Sequence, residues 1–318
     1  MKFLRQPNNG ASWQEPLLYA VALDDEDGGV ARVKIETSDR QQLIASFNIY
    51  GGSEAEFDVA PYLRNSVDDT PLNGERGLFV SPYAFNVVVS VNGVSSEQRC
   101  FYRTPLQELQ PGIICRGAGT STISRGERIQ VTLYAQSRVD VTVMHHSLRN
   151  LRRSYAINSN GCPVELIYPL TEVDEGLQRV VLSISVDGQP RVSVDIPYVE
   201  RSGPQRQVMW HSGRGGTEGY RFPQCVLKSR EAITERGADG KERVVAREER
   251  WFLTSAYESA EEMERIEDMI FADKLYFVNG GECEEVALLT RKLNRGDVGE
   301  LKRMQIEVRK REKGGVGL

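Results

Sequence analysis

The sequence predicts a mainly β protein: two β-sandwich (Ig-like) domains followed by a β-rich α+β domain with one helix. Three observations predict it. Short apolar stretches alternate with a period of two, the pattern of half-buried strands. Turn pairs such as Asn92-Gly93 and Asp187-Gly188 fall between them. A single segment near the end of the chain has the helical period. With 318 residues, 40% of them apolar and 27% charged, the chain is too long for one small core and has the composition of folded domains.

Residues 1–106 read as the first domain. An apolar run at 17–23 is followed by the acidic Asp24, Asp25, Glu26 and Asp27 and by Gly28-Gly29, a hairpin tip. Val33 and Ile35 then alternate with charged neighbours. Further strands are predicted at 43–50, 55–59, 83–91 and 98–103. Asn92-Gly93 supplies the positive-φ positions of a tight hairpin between the last two. Residues 105–111, bounded by prolines, read as a linker.

Residues 107–202 read as the second domain, with strands at 113–115, 128–134, 139–143, 177–186 and 191–198. Gly203-Pro204 closes it. Residues 203–318 form the third. There, 211–216 read as an exposed or mobile Gly-rich loop, and 225–231 and 244–254 as the arms of a long hairpin with its tip at 235–243. The helix is placed at 259–272. Ser259 and Glu262 make a capping box, and Met263, Ile266, Met269 and Ile270 make the apolar face. Strands at 274–278, 283–293 and 301–311 complete the domain, with Met304, Ile306 and Val308 inward.

The formal net charge of -5 gives no basic field for nucleic acid. The opening Met-Lys-Phe-Leu-Arg-Gln-Pro lacks an apolar signal core, and no apolar run approaches the roughly 20 residues of a bilayer span. Synthesis in the cytoplasm and no membrane partner are therefore expected. Cys100, Cys115, Cys162, Cys225 and Cys283 contain no Cys-x-x-Cys hook. They read as reduced thiols, with a single disulfide or a reactive thiol as the alternative.

Chemistry is sparse. His145 and His146 are adjacent in a strand-like stretch and point to opposite faces, which does not suit a shared metal. His211 lies beside Ser212 without a Gly-x-Ser-x-Gly elbow. Residues 213–219 are glycine-rich but are followed by Tyr220 rather than the Lys-Ser/Thr of a phosphate loop. Asp24 to Asp27 lack the spacing of an EF-hand, and whether calcium binds that turn is left open. Glu261-Glu262 and Glu284-Glu285 are neighbours and poor candidates for an acid/base pair across a substrate. No catalytic, cofactor-binding or metal residue is assigned.

Two basic clusters stand out. One comprises Arg149, Arg152 and Arg153; the other runs through Lys302, Arg303, Arg309, Lys310, Arg311 and Lys313. Both read as charged edge strands that resist unwanted pairing, or as contacts for an acidic partner. Trp13, Trp210 and Trp251 are scattered. Trp210, His211, Arg214 and Tyr220 surround the Gly-rich segment and are the candidate interface loop.

The run Trp251-Phe252-Leu253-Thr254-Ser255-Ala256-Tyr257 leads into the acidic helix beginning at Ser259, and then into Leu275-Tyr276-Phe277-Val278 and the final strands. This order, mainly over residues 251–311, resembles tail- or baseplate-type structural proteins encoded in Bacteroides phages and prophages. Asp58-Val59-Ala60-Pro61-Tyr62-Leu63 resembles a short motif of their N-terminal β domains. The resemblance implies a non-enzymatic virion component that packs against copies of itself and other tail proteins, without catalytic residues to carry over. The alternative expectation is a carbohydrate- or protein-binding, adhesin-like module with a surface glycan as ligand.

Overall fold

The computed structural model describes residues 1–23, 29–38, 42–67, 75–117, 119–200, 203–213, 215–236, 242–272, 274–279, 281–290, 294–298 and 301–313. The acidic turn at 24–27, Arg214 and the hairpin tip at 237–241 lie outside the described residues. Among the described residues the chain is mainly β, with twenty-four strands in five antiparallel sheets and two α-helices. No described helix is long and apolar enough to cross a membrane.

The first stretch contains β1 (Lys2–Arg5), β2 (Leu18–Ala22), β3 (Val30–Thr37), β4 (Leu43–Tyr50), β5 (Glu54–Asp58), α1 (Ala60–Ser66), β6 (Gly77–Val80), β7 (Phe85–Val91), β8 (Val94–Ser95) and β9 (Arg99–Phe101). Strands β1, β2 and β5 form one sheet; β4, β3, β7 and β8 form another, with β9 also on β7. Alternation puts Ala31, Val33 and Ile35 of β3 inward, where they meet Tyr19, Phe57, Val87 and Val89 in one core. The Asn92-Gly93 turn has φ values of 48° and 85°, as the residue pair predicts.

Helix α1 corrects the expectation of a single helix. Its seven residues are too few for a helical period to show in the sequence. Pro61 in the first turn needs no backbone donor there. The Asp58 carboxylate accepts from the backbone N–H groups of Leu17 (2.8 Å) and Ala60 (2.9 Å), fixing the strand-to-helix corner.

The second core contains β10 (Gly112–Arg116), β11 (Arg128–Tyr134), β12 (Arg138–His146), β13 (Arg152–Asn158), β14 (Val164–Pro169), β15 (Arg179–Val186) and β16 (Val192–Pro197). One sheet has the order β10-β11-β14-β6 and the other β13-β12-β15-β16, and their inner faces share one apolar cluster. Strand β6 therefore leaves the first stretch of chain to finish a sheet of the second. Strands β6, β13 and β14 are absent from the sequence reading. The 105–111 linker is partly ordered: Leu106–Glu108 form a 3-10 turn, and Leu106 is buried in the first core.

The last third contains β17 (Arg206–His211), β18 (Thr217–Phe222), β19 (Gln224–Arg236), β20 (Glu242–Thr254), α2 (Ala260–Glu267), β21 (Leu275–Asn279), β22 (Glu282–Leu288), β23 (Asn294–Val298) and β24 (Leu301–Lys313). Its sheet runs β18-β17-β21-β22-β24-β20-β19, with β23 on β24. The Ser259 hydroxyl accepts from the Glu262 N–H at 3.2 Å and starts α2, which continues as a 3-10 turn at Asp268–Phe271. Met263, Ile266 and Met269 pack on Leu253, Met304, Ile306 and Val308. Strand β24 has β22 and β20 on its two sides at Arg309, so that residue does not mark an edge; from Lys310 to Lys313 only β20 pairs it among the described residues. Lys310 pairs with Glu284 at 2.9 Å and Arg309 with Glu248 at 3.7 Å. Strand β13, carrying Arg152 and Arg153, does lie at an edge.

Candidate functional site

The segment read as an exposed loop is interior. Trp210 is completely buried, and His211 and Tyr220 are buried as well. Strand alternation does not expose one side of β17, because β17 and β18 lie in a sheet with both faces covered. The His211 ring sits edge-on between Tyr83 (4.8 Å) and Tyr276 (5.8 Å). Ser212 N–H donates to the Gly216 carbonyl at 2.9 Å, closing a tight turn, and its hydroxyl donates to Asp268 at 3.0 Å. The Tyr102 hydroxyl donates to the Gly215 carbonyl. The glycines are needed for space: a Cβ at Gly216 would stand 2.6 Å from both Cys115 Sγ and Thr132 Oγ1.

The Tyr220 hydroxyl donates to Glu258 at 2.5 Å and accepts from the Ala256 N–H at 3.0 Å. Burial, reinforced by the Glu258 carboxylate, pushes its phenol well above the ordinary value. Tyr220 thus ties β18 to the start of α2. The candidate interface loop of Trp210, His211 and Tyr220 is corrected accordingly: these side chains hold the hairpin in place. Arg214 lies outside the described residues.

Beneath this hairpin lies a buried polar junction that sequence reasoning missed. Arg128 of β11 is fully buried and donates to Gln130 Oε1 at 2.5 Å. Gln130 donates to Glu165 of β14. Ser81, just after β6, and Thr217 of β18 each donate to Glu165 at 3.4 Å. Gln207 of β17 accepts from Arg128 N–H at 3.1 Å and donates to its carbonyl at 3.0 Å. Four strands of the second and third parts of the chain meet here, joined by Ser81 from the first. Burial pushes the Glu165 carboxyl up, opposed by its donors Gln130, Ser81 and Thr217 and by Arg128. Burial likewise pulls the Arg128 guanidinium down. A carboxyl with a raised pKa is a common mark of a catalytic acid. Here Glu165 is 2% exposed, and its hydrogen bonds tie β14 to β11, to β18 and to the segment after β6.

A second polar chain runs Asp174–His145–Tyr168, with His145 and Tyr168 buried and Asp174 half-buried. His145 Nδ1 is 2.7 Å from Asp174 Oδ2, and Nε2 is 2.8 Å from the Tyr168 hydroxyl. Arg76, just before β6, lies 5.0 Å over the Tyr168 ring and donates to the Pro169 carbonyl at 2.9 Å. The order imitates an acid-base relay, but Tyr168 is 1% exposed. The only sequence signal was His145 on the opposite strand face from His146, which the structure reproduces: His145 is buried and His146 half-buried.

No family model and no curated protein matches the chain. A solved structure of a Salmonella alpha-2-macroglobulin mutant aligns at 11% identity over 95% of this chain, with a TM-score of 0.20. The chain spans 19% of that protein's length. So low a TM-score carries no argument about fold or function.

Two surface features remain. A cleft of about 470 Å³ lies between Arg116, Thr120, Tyr220, Arg221, Glu262 and Arg265. Two of its arginines are paired within the chain: Arg221 with Glu127 (3.0 Å from Nε), and Arg265 with Glu218 (3.2 Å) and Glu262 (2.6 Å). A hollow of about 390 Å³ opens between β19 and β20, lined by Arg230, Glu231, Ala232, Arg247, Glu248 and Glu249. No group of three or more His, Cys, Asp or Glu is placed to hold a metal among the described residues.

Proposed function

We propose that this chain is a non-enzymatic assembly protein, a tail or baseplate component of a Bacteroides phage or prophage. In this reading its first two cores are Ig-like sandwiches that position the third part for contact. The observation that carries it is the ribbon of β19, β20 and β24, strands of thirteen residues each. From Arg230 outward, β19 is exposed on both faces save for half-buried Ile233, and Val244 opposite Thr234 is 53% exposed. Strands with no core on either face gain little from burial and depend on their ladder. A partner packing on this ribbon supplies the missing burial, and the hollow at Arg230 and Glu249 offers it relief to seat against. The resemblance over residues 251–311 supports the phage assignment, and partners are then copies of the chain and other tail proteins. Synthesis is cytoplasmic and the destination is the virion.

The test is light scattering coupled to size-exclusion chromatography on the full chain, alone at high concentration and mixed with the products of neighbouring genes. A defined ring or mixed complex is expected, weakened by R230E and E231R together. A monomer under all these conditions, including the mixtures, overturns the proposal.

A further inference from the structure

We infer that Cys100 and Cys162 form an intrachain disulfide when the chain folds in the presence of a small-molecule disulfide such as oxidised glutathione. Their sulfurs lie 2.7 Å apart, well inside the contact distance of two sulfur atoms. Closing to the ~2.05 Å of a disulfide takes a shift of roughly 0.7 Å.

Both ends are held in place by their backbones. Cys100 is in β9, where its N–H donates to Asn9 Oδ1 at 2.7 Å and its carbonyl accepts from Gly10 N–H at 2.7 Å. Cys162 follows the turn at Asn160 (φ 51°) and Gly161 (φ 75°) that leads from β13 to β14, and its N–H donates to the Ser159 carbonyl at 2.9 Å. The Cys162 thiol also donates to Asn86 Oδ1 at 3.2 Å, which aims the sulfur toward β9. Cys115, Cys225 and Cys283 belong to β10, β19 and β22, elsewhere in the fold.

The chemistry is thiol–disulfide exchange. One cysteine thiolate attacks the small disulfide, forming a mixed disulfide and releasing one thiol. The second cysteine attacks the protein sulfur of that mixed disulfide and releases the other. The two cysteines lose two protons and two electrons, and the small disulfide is reduced to two thiols. Cys100 is 3% exposed and Cys162 is 0% exposed, so exchange precedes closure of the two cores. Once closed, the bond is shielded from reductant. It staples β9 of the first core to the turn entering β14 of the second.

Full-length protein is unfolded and refolded either with a mixture of reduced and oxidised glutathione or with reduced glutathione alone. Thiols are then counted under denaturing conditions, and peptides are mapped by non-reducing mass spectrometry. Of the five cysteines, all five titrate after reduced refolding and three after oxidising refolding. The linked peptides contain Cys100 and Cys162, and Tm rises by about 5 °C. C100S and C162S each remove the linked peptide and the shift. Five titratable thiols after oxidising refolding, or linkage of any other pair, overturns the inference. If either variant fails to fold, the thiol count and peptide map of the unsubstituted chain still decide it.

Discussion

Leu78 of β6 stands directly opposite Leu166 of β14. Strand β6 comes before β7 in the chain yet closes a sheet whose other strands begin at Gly112, so the first and second cores cannot be cut apart at residue 107 without opening that sheet. A fragment of residues 107–202 exposes the edge of β14 and self-associates. The same fragment with residues 75–81 joined to its N-terminus by a flexible linker stays monomeric and melts higher. Size-exclusion chromatography and thermal melts of both fragments check this; equal behaviour would make the β6 pairing dispensable.

Glu165 carries a pH dependence of definite sign. Its folded pKa is raised, so the native state holds a proton to higher pH than the unfolded chain does. Its stability contribution is fully present below the unfolded carboxyl value of 4.5 and is lost as pH rises through the folded value. E165Q keeps an acceptor for Gln130 without the charge. Chemical denaturation shows E165Q gaining on the parent chain between pH 4 and pH 7. E165L leaves Gln130, Ser81 and Thr217 without their acceptor and buried Arg128 without its neighbouring carboxylate, and costs about 3 kcal/mol at neutral pH.

Asp187 has the opposite sign. Partial burial works against its charge, but donors from the Ser137 hydroxyl and the backbone of Arg138, Gln136 and Ser137 prevail and hold it at about 2. Its contribution is present above the ordinary carboxyl value of 3.8 and is lost as pH falls toward about 2. D187A therefore loses about 1 kcal/mol at neutral pH, and its deficit shrinks below pH 3. Paired melts across that range measure the difference.

G216A forces a methyl group against Cys115 Sγ and Thr132 Oγ1 and destabilises the chain by about 2 kcal/mol. G213A, where nothing lies within 4 Å of the added Cβ, serves as the control and leaves stability nearly unchanged. Urea melts of the two variants separate crowding from any general effect of losing a glycine.

Strands β3 and β11 were readable because apolar and polar residues alternate along them, and β4 and β15 as apolar-rich runs; all four lie close to where the sequence puts them. Strand β14 was not, because Leu166, Ile167 and Tyr168 run together and break the alternation. Strand β6 is short, and its partner lies far along the chain. The Gly213 to Gly216 segment misleads for a physical reason. Glycine reads as freedom in a sequence, whereas Gly215 and Gly216 are there because Tyr102, Cys115 and Thr132 leave no room for a side chain. The polar junction had no linear signature, since Ser81, Arg128, Glu165 and Thr217 converge only through tertiary pairing.

The unpaired edge of β19 has a sign pattern that bears on which strand can join it. Arg230 and Arg236 share one face, and Glu231 and Glu235 share the other. Two copies meeting edge to edge about a two-fold axis keep their faces matched. The register centred on Ile233 then sets Arg230 against Arg236 and Glu231 against Glu235, repelling on both faces. This edge disfavours its own image in that register and with it one route to open-ended growth into fibres. A strand with acids facing the arginines and bases facing the glutamates meets no such barrier, so in that register the edge favours an unlike neighbour over a second copy.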